Sequence, residues 1–275
     1  MTAIVEAVLT GMAVLLAGTI PRNIVFAANL RYLTRVPWAA LVAALYLWCF
    51  WQYLRGWRNH DANAVWRRDR LRAKPLSARV WRRALIAGFL GLAALVVALR
   101  VLNRVVALPE QQAPDLSGMP TLTVLTLLLV SSLNAGVVEE AAFRGYMQGP
   151  IERRAGPAIA IVVTGIMFAI AHLEFTPVLL PYYVAVAAIY GAVTYLTGSI
   201  LPAVVLHTAG NIYSNADLWL SGRAEWQSIS RGNVSLSGGA DASFRLAVVA
   251  ELLLLVLTFA AYRRLAAATK RDEAT

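Results

Sequence analysis

Residues 121–149 have the sequence TLTVLTLLLVSSLNAGVVEEAAFRGYMQG, an apolar run that contains two adjacent glutamates near its end. The run is long enough to cross a bilayer, because about 20 apolar residues suffice. A charged side chain at the bilayer centre costs about 2.5–3.5 kcal/mol on insertion scales. Glu139 and Glu140 therefore need partners, water or a chemical role inside the membrane.

Helical spacing supplies a partner for one of the two glutamates. Glu140 and Arg144 are four residues apart, with the glutamate on the N-terminal side, which is the favoured orientation for an ion pair. Glu139 is turned by roughly 100° and has no obvious partner on its own helix. A plainer interpretation makes the Glu140–Arg144 pair a salt bridge near the inner surface, with Arg144 extending to the lipid headgroups. The segment 145–149, GYMQG, is expected to end the helix before Pro150.

The composition is typical of a polytopic membrane protein. Of the 275 residues, 59% are hydrophobic and 15% are charged, and the mean hydropathy is +0.61. The net charge of +10 alone could indicate nucleic acid, but the basic residues lie between apolar runs. There they set topology and contact anionic lipid, so no nucleic-acid partner is expected. Cys49 is the only cysteine, which excludes an internal disulfide and a thiolate zinc site.

Eight apolar runs predict an all-α fold, a polytopic transmembrane helical bundle of about eight spans. The first run is interrupted at Pro21-Arg22, and the seventh is unusually short. The candidate spans lie near residues 4–20, 37–54, 84–102, 121–148, 158–173, 178–196, 200–214 and 243–262.

The basic loop at residues 55–83 sets the predicted topology. It contains ten Lys or Arg residues against Asp61 and Asp69, so the positive-inside rule places it in the cytoplasm. Threading outward from it places both termini in the cytoplasm, and the loops 103–120 and 215–242 outside. The segment 21–36 is the exception, because it places three arginines on the external side. The expected location is the plasma (cell inner) membrane.

Six tryptophans surround the second span and the basic loop. The main interpretation is an interfacial aromatic belt, with the arginines at anionic lipid headgroups. A soluble partner that docks on this loop is the rival interpretation. The residues are Trp38, Trp48, Trp51, Trp57, Trp66 and Trp81.

Three further polar residues fall inside predicted spans. His172 lies near the end of the fifth span, and His207 and Asn211 share one face of the seventh because they are four residues apart. At 1.5 Å per residue, Glu139 lies about 14 Å deep, His207 about 10 Å, Asn211 about 16 Å and His172 about 21 Å. Three separate spans thus place an acid, two imidazoles and an amide in one layer of the membrane.

Hydrolysis is the chemistry that uses this set of groups. A glutamate and two imidazoles, here Glu139, His172 and His207, can hold zinc with an open fourth position, where bound water becomes a nucleophile. Alternatively, a carboxylate and an imidazole activate water directly, while the second histidine and Asn211 donate hydrogen bonds to the oxyanion. Both schemes require a wet cavity. In the plainer interpretation, His207 and Asn211 form interhelical hydrogen bonds and His172 is a satisfied core residue.

Three motifs carry a resemblance to a known family. The sequence EEAAFR at 139–144 resembles the EExxxR motif of the CPBP family, the CAAX protease and bacteriocin-processing (Abi) intramembrane metalloproteases. FAIAH at 168–172 is similar to that family's FxxxH motif, and HTAGN at 207–211 to its HxxxN motif. Order and spacing agree, and the resemblance covers roughly 121–214. The chain thus divides into N-terminal helices (1–120), a CPBP-like catalytic core (121–214) and an external loop, last helix and cytoplasmic tail (215–275).

The resemblance implies a role for each motif residue. Glu139 would be the base or metal ligand that acts on water, supported by Glu140 and Arg144. His172, at the end of the motif that begins with Phe168, would join Glu139 in holding the metal or the water. His207 and Asn211 would bind the metal or the oxyanion. The implied cofactor is a divalent metal, with zinc the first choice, held by Glu139, His172 and His207.

The predicted function is that of an intramembrane endopeptidase that cleaves a membrane-associated protein or peptide. A prenylated C-terminus is the substrate of eukaryotic relatives; a leader peptide or a membrane-bound regulator is equally compatible with the sequence. Two alternatives stay open. One is a proton- or ion-coupled carrier that uses the same groups as a relay. The other is a non-catalytic membrane scaffold, for instance in peptide self-immunity.

Overall fold

The computed structural model describes residues 2–32, 35–57, 61–106, 118–172, 179–221 and 240–272. Within these ranges the secondary structure is helical and contains no strand, which confirms the predicted all-α fold. The helices are α1 (Thr2–Tyr32), α2 (Trp38–Leu54), α3 (Ala62–Leu71), α4 (Ala78–Asn103), α5 (Thr121–Glu139), a π-helical segment (Glu140–Gln148), α6 (Gly149–Ala155), α7 (Pro157–Ala171), α8 (Leu180–Thr197), α9 (Leu201–Ser221) and α10 (Ala242–Asp272).

Several of these helices are long and apolar enough to cross a membrane. α2 and α7 are also apolar but shorter. α9 contains the seventh predicted span. The chain is therefore a polytopic membrane protein, while eight crossings remains a prediction. The five long stretches are Thr2–Tyr32, Ala78–Asn103, Thr121–Ala155, Leu180–Thr197 and Ala242–Asp272.

Two predicted boundaries are wrong. α1 does not stop at Pro21-Arg22 but continues to Tyr32, so most of the supposed loop 21–36 is helical. A neighbouring group makes this possible: Pro21 has no amide hydrogen for the Ala17 carbonyl, and the Tyr46 hydroxyl of α2 donates to that carbonyl at 2.6 Å. The seventh span is not short either, because α9 continues to Ser221.

The helix also fails to end at Gly149-Pro150. The chain passes from α5 into the π-helical segment and then directly into α6, so that one continuous helical rod runs from Thr121 to Ala155. Pro150 is the second residue of α6, at the junction with the π-helical segment, and its missing amide hydrogen removes one backbone hydrogen bond from the rod without ending it. The expectation that this sequence terminates the helix was therefore wrong.

The close packing of α5 on α9 positions the polar residues. A Cβ atom at Gly136 would overlap the Thr208 hydroxyl and lie 3.0 Å from the Val204 carbonyl oxygen. Only glycine allows this approach. Because Gly136 is one turn before Glu140, and Thr208 follows His207, the contact brings those two polar side chains together.

Part of the basic loop is ordered against the core. Asp61 caps α3, its carboxylate accepting the Ala64 amide at 2.6 Å. The Tyr146 hydroxyl of the π-helical segment donates to the Arg67 carbonyl at 3.2 Å. A Cβ at Gly145 would lie 3.0 Å from the Arg70 carbonyl oxygen, so α3 lies directly on that segment. Much of the predicted external loops, at 107–117 and 222–239, lies outside the described residues.

Candidate functional site

A fully buried ion pair forms the base of the site. The Arg144 guanidinium donates to Oε1 of Glu140 at 3.0 Å, and both side chains are 0% exposed. Arg144 also donates to the Ala187 carbonyl at 3.0 Å, and its cation lies 4.9 Å from the Phe168 ring centroid and 5.3 Å from that of Tyr190. These rings and the carbonyl stabilise the buried cation. Arg144 therefore does not extend to lipid headgroups, and that interpretation is wrong.

The same carboxylate orients an imidazole from a different helix. Nδ1 of His207, on α9, lies 2.7 Å from Oε1 of Glu140. A carboxylate can only accept, so this nitrogen carries the hydrogen and donates it. In the neutral ring the other nitrogen, Nε2, is then an acceptor. Carboxylates fix the tautomer and orientation of functional histidines in this way.

Glu139 lies beside that free nitrogen. Its Oε2 atom is 3.8 Å from Nε2 of His207, a distance too long for a direct hydrogen bond. Oε2 is buried and has no hydrogen-bond partner within the described part of the chain, although the side chain as a whole is 21% exposed. Arg22 is near enough to interact with its charge. Two acceptors thus lie close together without a donor between them.

His172 lies just past the end of α7 and presents the same nitrogen. Its Nδ1 donates to the Phe168 carbonyl at 2.8 Å, so Nε2 of the neutral ring is again an acceptor. The imidazole packs against two aromatic rings, with centroid distances of 4.4 Å to Phe168 and 4.5 Å to Tyr183. The local backbone therefore fixes the orientation of this histidine, as Glu140 fixes that of His207.

A cavity of about 400 Å³ lies beside His172 and His207. Its polar lining includes both histidines and Asn211, whose side-chain amide donates to the His207 carbonyl at 3.3 Å. The other walls include five apolar residues of α4, and α8 contributes Val186 and three tyrosines. Glu139 is not part of this lining and meets His207 from the α5 side. The structure thus brings together Glu139, Glu140, Arg144, Phe168, His172, His207 and Asn211.

Sequence reasoning missed two tyrosines of α8. Tyr190 is 3% exposed and stacks on His207, with ring centroids 5.0 Å apart and planes at 14°. Tyr183 packs on His172 in the same manner. Both line the cavity. The signal was their separation of seven residues, two helical turns, which places them on one face of α8.

The predicted metal ligands do not form a coordination shell. Among the residues that the structure describes, no group of three or more His, Cys, Asp or Glu side chains is arranged to hold a metal ion. Glu139, His172 and His207 thus do not meet the three-ligand geometry of a catalytic zinc site. The bound ion therefore stays a prediction.

These features define a class: a polytopic helical membrane protein with a buried glutamate–histidine pair beside an internal cavity. Residues 121–213 match the family model described as Type II CAAX prenyl endopeptidase Rce1-like. The match covers all three motifs and confirms the resemblance to the CPBP, or CAAX protease, family over these 93 of the 275 residues. It indicates an intramembrane peptidase. No curated protein and no solved structure matches the chain.

Proposed function

We propose that the protein is an intramembrane endopeptidase in which Glu139 and His207 hold the water that hydrolyses a peptide bond. The observation that carries this proposal is the 3.8 Å separation between Oε2 of Glu139 and Nε2 of His207. Both atoms are acceptors. A water molecule beside them donates one hydrogen to each, and an oxygen lone pair then faces away from both.

The proposed reaction needs only this water and the peptide. The water oxygen attacks the carbonyl carbon while its proton passes to the Glu139 carboxylate, which acts as general base. When the carbon–nitrogen bond breaks, the same proton passes from Glu139 to the leaving nitrogen. His207 keeps the water in place because its Nδ1 atom donates to Oε1 of Glu140, 2.7 Å away, and this hydrogen bond fixes the orientation of the imidazole.

The oxyanion needs hydrogen-bond donors on the cavity side. The amide of Asn211 and the hydroxyl of Tyr190 are the donors that we assign, since both residues line the cavity. A Cβ built at Gly210 would lie 3.5 Å from the Tyr190 hydroxyl, so this hydroxyl reaches the α9 backbone next to Asn211. Neutral His172 has no hydrogen on Nε2 and can only accept a hydrogen bond there. His207, which the resemblance pairs with Asn211 at the metal or the oxyanion, is assigned here to the water instead.

The proposed substrate is a membrane-associated protein or peptide. The matched family is described as a CAAX prenyl endopeptidase family, so a prenylated protein belongs to this proposed substrate class. The cavity suits such a substrate, because five apolar residues of α4 and the tyrosine rings of α8 form a large part of its walls. Apolar walls of this kind are typical of sites that bury most of a ligand's surface.

Comparative proteomics of membrane-protein termini tests the proposal. Cells that express the native protein are compared with cells that express Glu139→Gln and with a control, Glu251→Gln, which removes a glutamate of α10 outside the site. We expect one or more protein termini that are present with the native protein and the control but absent with Glu139→Gln. Identical termini in all three strains would contradict an endopeptidase activity of this site.

A further inference from the structure

A second cavity lies at the edge of the bundle, far along the chain from the catalytic motifs. Its lining comes from the residues that follow α2, from the C-terminal part of α3 and from the segment between α3 and α4. Because α2 and α4 are both apolar, we expect the end of α2 and the start of α4 to lie at the level of the lipid headgroups. The volume is about 610 Å³, and the polar lining consists of Arg55, Trp57, Arg68, Asp69, Arg72 and Lys74.

The charges around this cavity are unbalanced. Four cations face it against the single carboxylate of Asp69. Arg72 has a partner, since its guanidinium lies 2.9 Å from the Glu152 carboxylate. Arg55, Arg68 and Lys74 make no ion pair within the described residues, and all three are exposed. Cations that line one cavity and outnumber its carboxylates favour a bound anion, and arginine and lysine together suit a phosphoryl group.

Backbone contacts hold the walls of the cavity in place. The Arg72 carbonyl accepts the Ile200 amide at 3.1 Å, and the Lys74 carbonyl accepts the hydroxyl of the buried Ser199 at 2.8 Å. Arg72 itself has a φ of 56°, in the left-handed region that a non-glycine residue rarely adopts. Arg72 is the C-cap of α3, a position where helices commonly end in this conformation. The cations are therefore presented on a fixed frame.

Tryptophan side chains identify the environment of this cavity. Trp57 lines it, and its ring packs edge-on against Trp48 of α2 with centroids 5.8 Å apart. Trp48, Trp57 and the neighbouring Trp66 of α3 are 42–50% exposed. Exposed tryptophans at the ends of apolar helices are typical of the membrane–water interface. The anion that reaches this cavity therefore comes from the membrane.

We propose that this cavity binds the phosphate headgroup of an anionic phospholipid in the leaflet that contacts the basic loop. Arg55, Arg68 and Lys74 contact the phosphate, and Trp57 lies against the glycerol and upper acyl region. The site is separate from the catalytic water. Its occupancy is therefore measurable whether or not the proposed peptidase activity is correct.

Lipid titration of the purified full-length protein in non-ionic detergent tests this site. Native mass spectrometry counts bound dioctanoyl phosphatidylglycerol, with dioctanoyl phosphatidylcholine and inorganic phosphate as comparison probes. The triple variant Arg55→Gln/Arg68→Gln/Lys74→Gln is compared with Arg79→Gln/Arg264→Gln/Lys270→Gln, which removes the same charges from exposed positions outside the cavity. Thermal unfolding checks that both variants fold, and the single variant Arg68→Glu replaces the triple if it does not.

We expect one saturable phosphatidylglycerol site, weakened about tenfold or more in the cavity variant and unchanged in the control. Equal weakening in both triple variants would show a general charge effect and overturn the site. Equally tight binding of phosphatidylcholine would contradict the proposal, because the site would then not recognise the charge of the headgroup. Inorganic phosphate binding as tightly as the lipid would overturn the membrane source of the ligand.

Discussion

Two adjacent glutamates have different tasks at the residue scale. Glu140 is fully buried, and one of its oxygens accepts hydrogen bonds from both Arg144 and His207. Glu139 is partly exposed, and its buried oxygen has no hydrogen-bond partner among the residues that the structure describes. A buried ion that loses its partner typically destabilises a protein by about 3–5 kcal/mol, whereas an unpaired carboxylate carries no such penalty when neutralised.

This difference predicts separable effects of two conservative substitutions. Glu140→Gln should lower both stability, by about 3 kcal/mol, and activity, because Arg144 loses its counter-charge and His207 its orientation. Glu139→Gln should lower activity alone. Thermal unfolding and peptide cleavage, measured on the same preparations, check this. Equal losses of stability in the two variants would contradict the assignment of Glu140 as the structural partner.

Tyr190 predicts a second pair of outcomes. Tyr190→Phe keeps the ring that stacks on His207 and removes only the hydroxyl, so kcat should fall about 10²-fold while KM changes little. Tyr190→Leu also removes the stacking and should cost more, and it should shift the pH profile of kcat because the imidazole changes its surroundings. Steady-state measurements of kcat and KM for both variants, over a range of pH, check these expectations. A Tyr190→Phe variant with native kcat would exclude the hydroxyl as an oxyanion donor.

Local spacing predicts some of these contacts and not others. The Glu140–Arg144 pair follows from the 3.6-residue helical period, and the layer of polar residues follows from span boundaries. The hydrogen bond between Glu140 and His207 joins residues 67 positions apart, so it depends on how two helices pack. The hydrogen-bond partner of each histidine Nδ1 could not be predicted from the sequence either. For His172 it is the Phe168 backbone carbonyl, and for His207 it is the Glu140 side chain on another helix.

The π-helical segment controls the geometry at the scale of the element. All nine of its residues are buried, and it carries Glu140, Arg144 and the contacts to α3. A π-helix closes hydrogen bonds one residue later than an α-helix and occurs mainly at functional sites. The sequence shows neither the π-helical turn nor the continuation through Pro150, because both are stabilised by neighbouring helices rather than by local propensity.

The contact between α5 and α9 predicts that a second substitution can partly reverse the effect of a first one. Gly136→Ala places a Cβ against the Thr208 hydroxyl and should separate Glu140 from His207, lowering activity about tenfold or more and lowering the unfolding temperature. Adding Thr208→Ala removes that hydroxyl and should restore part of both losses. A double-mutant cycle on unfolding temperature and cleavage measures the coupling. Purely additive losses would show that the two residues do not compete for space.

Five parts of the chain build the site at the scale of the whole molecule. α5 supplies Glu139, and the π-helical segment, α7 with the His172 that follows it, α8 and α9 supply the other side chains, all of which lie within the family match. Hydropathy predicted the helices of this region but not their depth in the bundle. α1, which was predicted to be interrupted at Pro21-Arg22, packs on the π-helical segment and supplies Arg22 near Glu139.

The arrangement of acceptors also predicts the response to metal removal. Because the proposed water is held by Glu139 and His207 without a third ligand, dialysis against a chelator should leave peptidase activity within about twofold. Metal analysis of the dialysed protein provides the control. Loss of activity that zinc restores would contradict direct activation and would establish Glu139, His172 and His207 as ligands.

The most direct measurement of the central claim is kcat/KM of the purified protein and of Glu139→Gln on one substrate peptide. If Glu139 and His207 share the attacking water, Glu139→Gln should lower kcat/KM by about 10³-fold or more, with an unchanged unfolding temperature. A Glu139→Gln protein that retains kcat/KM within about tenfold of the native value would contradict the proposed role of this carboxylate.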